Sequence, residues 1–227
     1  MTNDPEVVLV IQAYPDDADI SSGGTIAQWV RAGRRVVYIT CTSGEAGSSK
    51  PPLRPVDLGP AREREQRDAA AVLGVGDVEF LHYPDGRLEN TAPLCQRLAT
   101  IILRHRPTLV LTHEAMADAE GHPDHRHLGQ AVVAAVAAAQ RQGQAVPEVG
   151  LFHASEANHA VDVQATLELK LEAIARHRTQ RSLGEAPPDA VRAWARTTGT
   201  RRSLGLAESF RRMTIDECVR IAANASP

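Results

Sequence analysis

Short runs of β-branched and apolar residues alternate with helix-length segments along most of the chain, and this alternation constrains the fold more than any other feature. Residues 7–13, 35–41, 78–81, 108–112 and 149–153 read as strands. The first is a Val/Leu/Ile run of the kind buried on both faces of a sheet. Between the strands, helices are predicted over residues 25–32, 60–73, 91–105 and 124–140, with another over 164–178. Local signals support these bounds: Gly33 and Gly74 just past helix ends, Pro60 and Pro93 in first turns, and Thr91 as an N-cap. Repeated strand–helix–strand units demand right-handed crossovers on the faces of a parallel sheet. The predicted fold is therefore α/β, a Rossmann-like three-layer sandwich with a mainly parallel sheet, whose active site lies at the strand carboxyl ends. That places the chemistry in residues 14–17, 42–47 and 113–125. Beyond Arg178 the pattern weakens to Pro187-Pro188, a predicted helix over 189–196 and a Gly/Thr/Arg stretch.

The 227 residues are 43% hydrophobic and 23% charged, enough for one core, and no linker divides them, so residues 1–227 read as a single domain. Net charge is −3 with acids and bases interspersed, which gives no clustered basic face for nucleic acid. Arg62, Arg64 and Arg67 read as a solvated helix surface. Cys41, Cys95 and Cys218 are far apart, which excludes a disulfide framework and a cysteine-rich zinc site. Residues 1–6 carry no secretory signature and the run at 7–13 is too short to span a bilayer, so a cytoplasmic protein without membrane contact is expected. The long apolar and Ala-rich helices fit a homo-oligomer interface and burial within one domain equally well.

Three clusters carry chemistry. Tyr14-Pro15-Asp16-Asp17 follows the first strand, and its adjacent carboxylates point apart, so one can bind a metal while the other acts as a base. The bland alternative is helix entry, where Asp is common. His122-Pro123-Asp124-His125-Arg126-His127 opens a helix and suits metal or acid–base work, with Asp124 able to orient an imidazole. His113 ends the fourth strand, as a site residue or a rim histidine. Thr42-Ser43-Gly44-Glu45-Ala46-Gly47 can bring backbone amides close to a ligand, with Glu45 placed to accept sugar hydroxyls. No GxSxG, GxxxxGK[ST] or GxGxxG is present, which leaves serine-hydrolase and phosphate-loop chemistry unsupported.

Taken in order, these motifs resemble the LmbE-like (PIG-L) family of zinc-dependent N-deacetylases. Ala13-Tyr14-Pro15-Asp16-Asp17-Ala18 is similar to A-H-P-D-D-[AE], and residues 42–47 to T-x-G-E-x-G. Residues 62–74 resemble the R-x-x-E helix leading to L-G, and Asp85-Gly86 the D-G pair after strand three. Residues 106–113 resemble R-P-x-x-V-x-T-H, and residues 122–125 match H-P-D-H. Lys170, His177 and Gln180 fit K…H…Q, and residues 207–210 fit A-E-x-F, so the likeness runs from about Val7 to Phe210. The resemblance implies hydrolysis of an acetamido group on a glucosamine-type sugar or related small-molecule amide. It implies Zn²⁺ on Asp17, His125 and the position held by Tyr14, with Asp16 as general base. His122 would support the oxyanion or leaving amine, Asp124 would orient it, and Ser43, Glu45 and His113 would face the substrate. Two departures stand out. The first-motif histidine is Tyr14, a poor ligand as a neutral phenol with a reference pKa of about 10, unless a metal converts it to phenolate. Some family members carry an aromatic near H-P-D-H, whereas Glu120 stands two residues before His122 here. The alternative reading is a metal-poor sugar-binding relative, with His113 as a substitute ligand if a metal does bind.

Overall fold

The computed structural model describes residues 5–115, 122–144, 146, 148–152, 154, 156–181 and 183–224. Glu120 and His153 lie outside the described residues. Five strands run parallel: β1 (Val7–Gln12), β2 (Arg35–Thr40), β3 (Asp77–Phe80), β4 (Leu109–His113) and β5 (Glu148–Phe152). Two later strands, β6 (His159–Asp162) and β7 (Ala207–Met213), complete a seven-stranded sheet of order β3-β2-β1-β4-β5-β7-β6. β7 is antiparallel to both β5 and β6. The parallel sheet is as expected from the sequence; the antiparallel edge is not. It follows because the chain returns from β6 through helices to enter β7 from the opposite end.

Each central strand is buried on both faces, and its side chains alternate between two cores. Leu9, Ile11, Val37, Ile39 and Val110 join one core. Covering it are α3 (Ala92–His105), α4 (Pro123–Arg141) and α8 (Ile215–Asn224). Val8, Val10, Val36, Tyr38 and Leu111 join the other. That core is covered by α1 (Asp17–Arg31), α2 (Pro55–Leu73) and α5 (Leu167–Ile174). A short α6 (Arg178–Arg181) and α7 (Pro188–Arg201) follow, the latter over a satellite cluster around Leu167, Ile174 and Val191. The predicted cap holds at α3, where Thr91 accepts Leu94 N–H.

Three helix bounds differ from expectation for physical reasons. α1 begins eight residues before the predicted Thr25, because its buried first turns carry Asp17, Asp19 and Ser22, polar residues that break the apolar period. α2 starts at Pro55, so Pro60 lies inside it, past the first turn, and the helix continues without the one i→i−4 bond that Pro60 cannot donate. The helix expected over 164–178 stops at Ile174, where Arg176 N–H donates to Ala173 O and the chain turns His177 into the interior. No described helix is long and apolar enough to cross a membrane.

Candidate metal and active site

The carboxyl ends of β1, β2 and β4 meet the starts of α1 and α4 at one rim of the sheet. Asp17 is the first residue of α1 and Asp16 its N-cap. Asp16 adopts φ 96°, a left-handed conformation that costs a non-glycine residue of order 1–3 kcal/mol. Its side chain makes no capping bond, so the carboxyl is left to face the cleft. His122 is the N-cap of α4, with Pro123 behind it, and Asp124 N–H donates to His122 Nδ1 at 3.3 Å. α4 comes this close to β4 because Gly129 has no side chain; a Cβ there would stand 2.7 Å from the carbonyl oxygens of His113 and Glu114.

Asp17, His113 and His125 form a group whose ligand atoms all lie within 4.8 Å of one another. Asp17 Oδ2 is 3.1 Å from His113 Nε2, and Oδ1 is 3.3 Å from His125 Nε2. The two imidazoles stack with centroids 4.1 Å apart. Burial alone would raise the Asp17 carboxyl, but the two imidazoles outweigh it and hold it well below the usual carboxylate range. Burial works to lower His125, and Asp17 overrides it to raise that ring.

The donor set fits a metal ion. Ala13 N–H donates to His113 Nε2 at 3.1 Å, and a nitrogen that accepts a proton is bare in the neutral ring. That nitrogen has one lone pair, so it would ligate a metal by exchanging the Ala13 N–H for it, beside the Asp17 carboxylate oxygen 3.1 Å away. His125 Nε2 is buried and, among the described residues, has no hydrogen-bond partner, with Asp17 Oδ1 3.3 Å away as its ion-pair contact. Two imidazoles and one carboxylate are a common catalytic zinc set, with a further position open to substrate.

Tyr14 borders this group: its N–H donates to Asp17 Oδ2 at 2.7 Å and its ring centroid lies 5.4 Å from that of His125. Its hydroxyl hydrogen-bonds His122 Nδ1 at 3.0 Å, and the rings meet edge-on. Burial, then the hydrogen bond and charge of Asp124, push the phenol far above its ordinary range and keep it neutral. Because Nδ1 also receives Asp124 N–H, His122 carries its proton on Nε2 in the neutral ring. Asp124 itself is buried, and its Oδ2 accepts Gly86 N–H at 3.0 Å, tying the β3 loop to α4.

An open cleft of about 540 Å³ spans the site. Tyr14, Asp16, Asp17, His122 and His125 line it on one side; Ala46, Gly47 and Ser48 of the β2 loop, with Asp85 and Gly86, line another. Arg62, Gln180, Leu183 and Glu185 complete the wall. Burial pushes the Asp16 carboxyl up to about 7 even though Arg62 Nη2 lies 3.4 Å from its Oδ2. Arg62 is thus a correction to the sequence reading: it is buried, donating to Pro15 O and Gly44 O, and only its helix neighbours are solvated. The R-x-x-E motif was the available signal for it.

Of the three residues expected to face substrate, none projects its side chain into this lining. Ser43 Oγ donates to Glu63 Oε1 at 2.6 Å, and Glu45 Oε1 accepts Asp85 N–H at 3.0 Å, so both brace the loop. His113 is 1% exposed and belongs to the metal-ligand group. Gln180, read in the sequence as part of the K…H…Q likeness, donates from Nε2 to Ser48 O at the cleft, and Glu185 reaches it from the weakly patterned segment beyond Arg178.

Residues 9–136 match the family described as PIG-L: GlcNAc-PI de-N-acetylase. The diacetylchitobiose deacetylase of Thermococcus kodakarensis is 31% identical over 204 residues, covering 85% of this chain and 74% of that protein. The solved structure of the N,N'-diacetylchitobiose deacetylase from Pyrococcus horikoshii superposes with a TM-score of 0.84 at 29% identity, over 93% of this chain and 85% of that one. A 1D-myo-inositol 2-acetamido-2-deoxy-alpha-D-glucopyranoside deacetylase of Kineococcus radiotolerans is 32% identical over 170 residues, but the match spans only 61% of this chain and 47% of that protein. With the family match over more than half of the chain and a 31% identical relative covering 85% of it, the chain belongs to the PIG-L (GlcNAc-PI de-N-acetylase) family.

Proposed function

We propose that residues 1–227 form one zinc-dependent N-deacetylase domain that hydrolyses the acetamide of an N-acetylglucosamine-type sugar or small conjugate. The observation that carries this reading is the Asp17–His113–His125 group at the rim of the cleft, with Asp16 beside it. Asp17, His113 and His125 would hold the metal, with Tyr14 outside the ligand set. A bound zinc ion supplies Lewis acidity toward the acyl oxygen and lowers the pKa of water in the site.

The chain's own groups would do the rest. Asp16, a buried carboxyl poised near neutrality, takes a proton from the attacking water as the C–O bond forms. His122 Nε2 offers a hydrogen-bond donor from one side of the cleft to the oxygen that gains charge, and the Tyr14 O–H, donated to His122 Nδ1, holds that ring in place. The proton held by Asp16 then passes to the departing amine as the C–N bond breaks, while His122, oriented by Asp124 N–H, keeps its Nε2–H in the same cleft. Acetate and a free amino sugar leave. The β2 loop, Asp85 and Gln180 shape the space for the sugar. The similarity to diacetylchitobiose deacetylases over most of the chain supports a small acetamido sugar as substrate.

Metal analysis of the purified protein, paired with acetate release from a simple N-acetylglucosaminide, tests this reading. One zinc per chain with turnover abolished by chelation and restored by Zn²⁺ is the expected result. A protein that binds no zinc and releases no acetate with zinc in excess would leave the metal-poor sugar-binding alternative.

A further inference from the structure

The backbone amides on either side of the ligand Asp17 are held by two buried glutamine side chains. Asp16 N–H donates to Gln66 Oε1 at 2.8 Å, and Ala18 N–H donates to Gln12 Oε1 at 2.8 Å. The glutamines are joined to each other, Gln12 Nε2 donating to Gln66 Oε1 at 2.9 Å and to Thr40 Oγ1 at 2.9 Å. Both are fully buried and lie 54 residues apart in sequence, one at the end of β1 and one on α2. A backbone N–H can only donate, so both Oε1 atoms are fixed toward the turn. Gln66 Nε2 must then face the other way, and it donates to Asp19 Oδ2 at 2.8 Å.

Asp19 closes the chain of bonds. Its Oδ1 accepts Tyr38 O–H at 2.9 Å, and its Oδ2 also contacts His177 Nε2 at 2.8 Å. Neither glutamine amide can flip without breaking several buried bonds. This matters because Asp16 sits at φ 96°. Without Gln66 its N–H would be a buried orphan, and the turn would gain by relaxing to the extended geometry usual for an N-cap. That relaxation would swing the carboxyl relative to Asp17.

We propose that Gln12 and Gln66 are positioning residues, a clasp that fixes the Asp16 carboxylate relative to the metal ligand Asp17. The kinetic part of this inference rests on the deacetylase reading; the conformational part does not. Gln66→Met fills the same space and removes every hydrogen bond of the side chain. Amide hydrogen exchange at Asp16 should accelerate at least about tenfold in this variant, with α4 protection unchanged. Zinc content should match the parent, and kcat should fall at least about tenfold with KM within about twofold. Gln66→Glu keeps an acceptor oxygen for Asp16 N–H and should recover much of the exchange protection; it also serves if the methionine variant does not fold. A parent-like kcat or parent-like Asp16 exchange in Gln66→Met overturns the proposal. If the parent releases no acetate from any acetamido sugar, the deacetylase reading fails, and Asp16 exchange alone decides the clasp.

Discussion

Tyr14 occupies the position where the family resemblance implies a histidine ligand, and its hydroxyl is bonded to His122. In the proposed ligand set His113, from the end of β4, takes the third place beside Asp17 and His125. A neutral phenol is a weak ligand, and burial and Asp124 hold this one neutral. Tyr14→Phe should therefore keep its zinc while kcat drops by roughly 10–100-fold, as expected when His122 loses a hydrogen bond that holds its ring in place. His113→Gln should weaken zinc binding by more than about tenfold, because two protein ligands are too few for a catalytic zinc. Chelator competition on both variants checks the pair; zinc lost from Tyr14→Phe and kept by His113→Gln would reverse the assignment. In the sequence, Tyr14 was visible as a departure and His113 as a substitute ligand, but nothing local chose that role for it. His113 lies a hundred residues away and reads equally as a rim histidine, since only the β1–β4 pairing brings the two segments together.

At the scale of elements, the site depends on how closely α4 packs on β4. Gly129 permits that approach, and the carbonyls of His113 and Glu114 occupy the space where a side chain would begin. Gly129→Ala must push α4 away from β4, and backbone carbonyls cannot move aside as a flexible side chain can. Overpacking of this kind costs roughly 1–3 kcal/mol, a loss of about 3–10 °C in Tm for a domain of this size. The variant should also bind zinc more weakly, because His113 and His125 ride on the two separated elements. An unchanged Tm in scanning calorimetry would show that the helix packs with more room than the structure gives it. The Ala-rich face of α4 was legible as a buried helix; which of its small residues is obligatory was not.

At the scale of the whole molecule, the later third of the chain braces the front of the sheet. Lys170 Nζ pairs with Glu208 at 2.6 Å, and Glu208 accepts the N–H groups of Gly24 and Thr25, joining α5, β7 and α1. His177 reaches Asp19 one turn into α1. Burial acts to lower His177, but the hydrogen bond and charge of Asp19 outweigh it and leave the ring raised above 6.5. A folded pKa above the unfolded one means the stabilisation is complete below about pH 6.5 and is lost as pH rises through the folded value. Asp16, raised by burial to about 7, acts with the same sign at lower pH. The chelator-treated protein should thus lose Tm between pH 6 and 8.5, and His177→Gln should flatten that slope. Parallel slopes for parent and variant would remove His177 from the pH dependence.

The division between what was readable and what was not follows from the range of the interactions. Strand and helix alternation, the caps at Thr91 and Gly74, and the ordered motifs around Asp16-Asp17 and His122–His125 are local patterns, and the parallel sheet with its rim of acids and histidines follows from them. The antiparallel β7, the inward turn at His177, the ligand role open to His113 and the burial of Arg62 each depend on contacts between distant segments. Gln12 illustrates the boundary. A polar residue ending a fully apolar strand signals a buried partner, yet only the packing of α2 against β1 and β2 decides that the partner is Gln66. The sequence determined the layers and the chemical inventory of the rim. Tertiary structure decided which members of that inventory meet, because side-chain proximity across a sheet is fixed by strand order and helix packing.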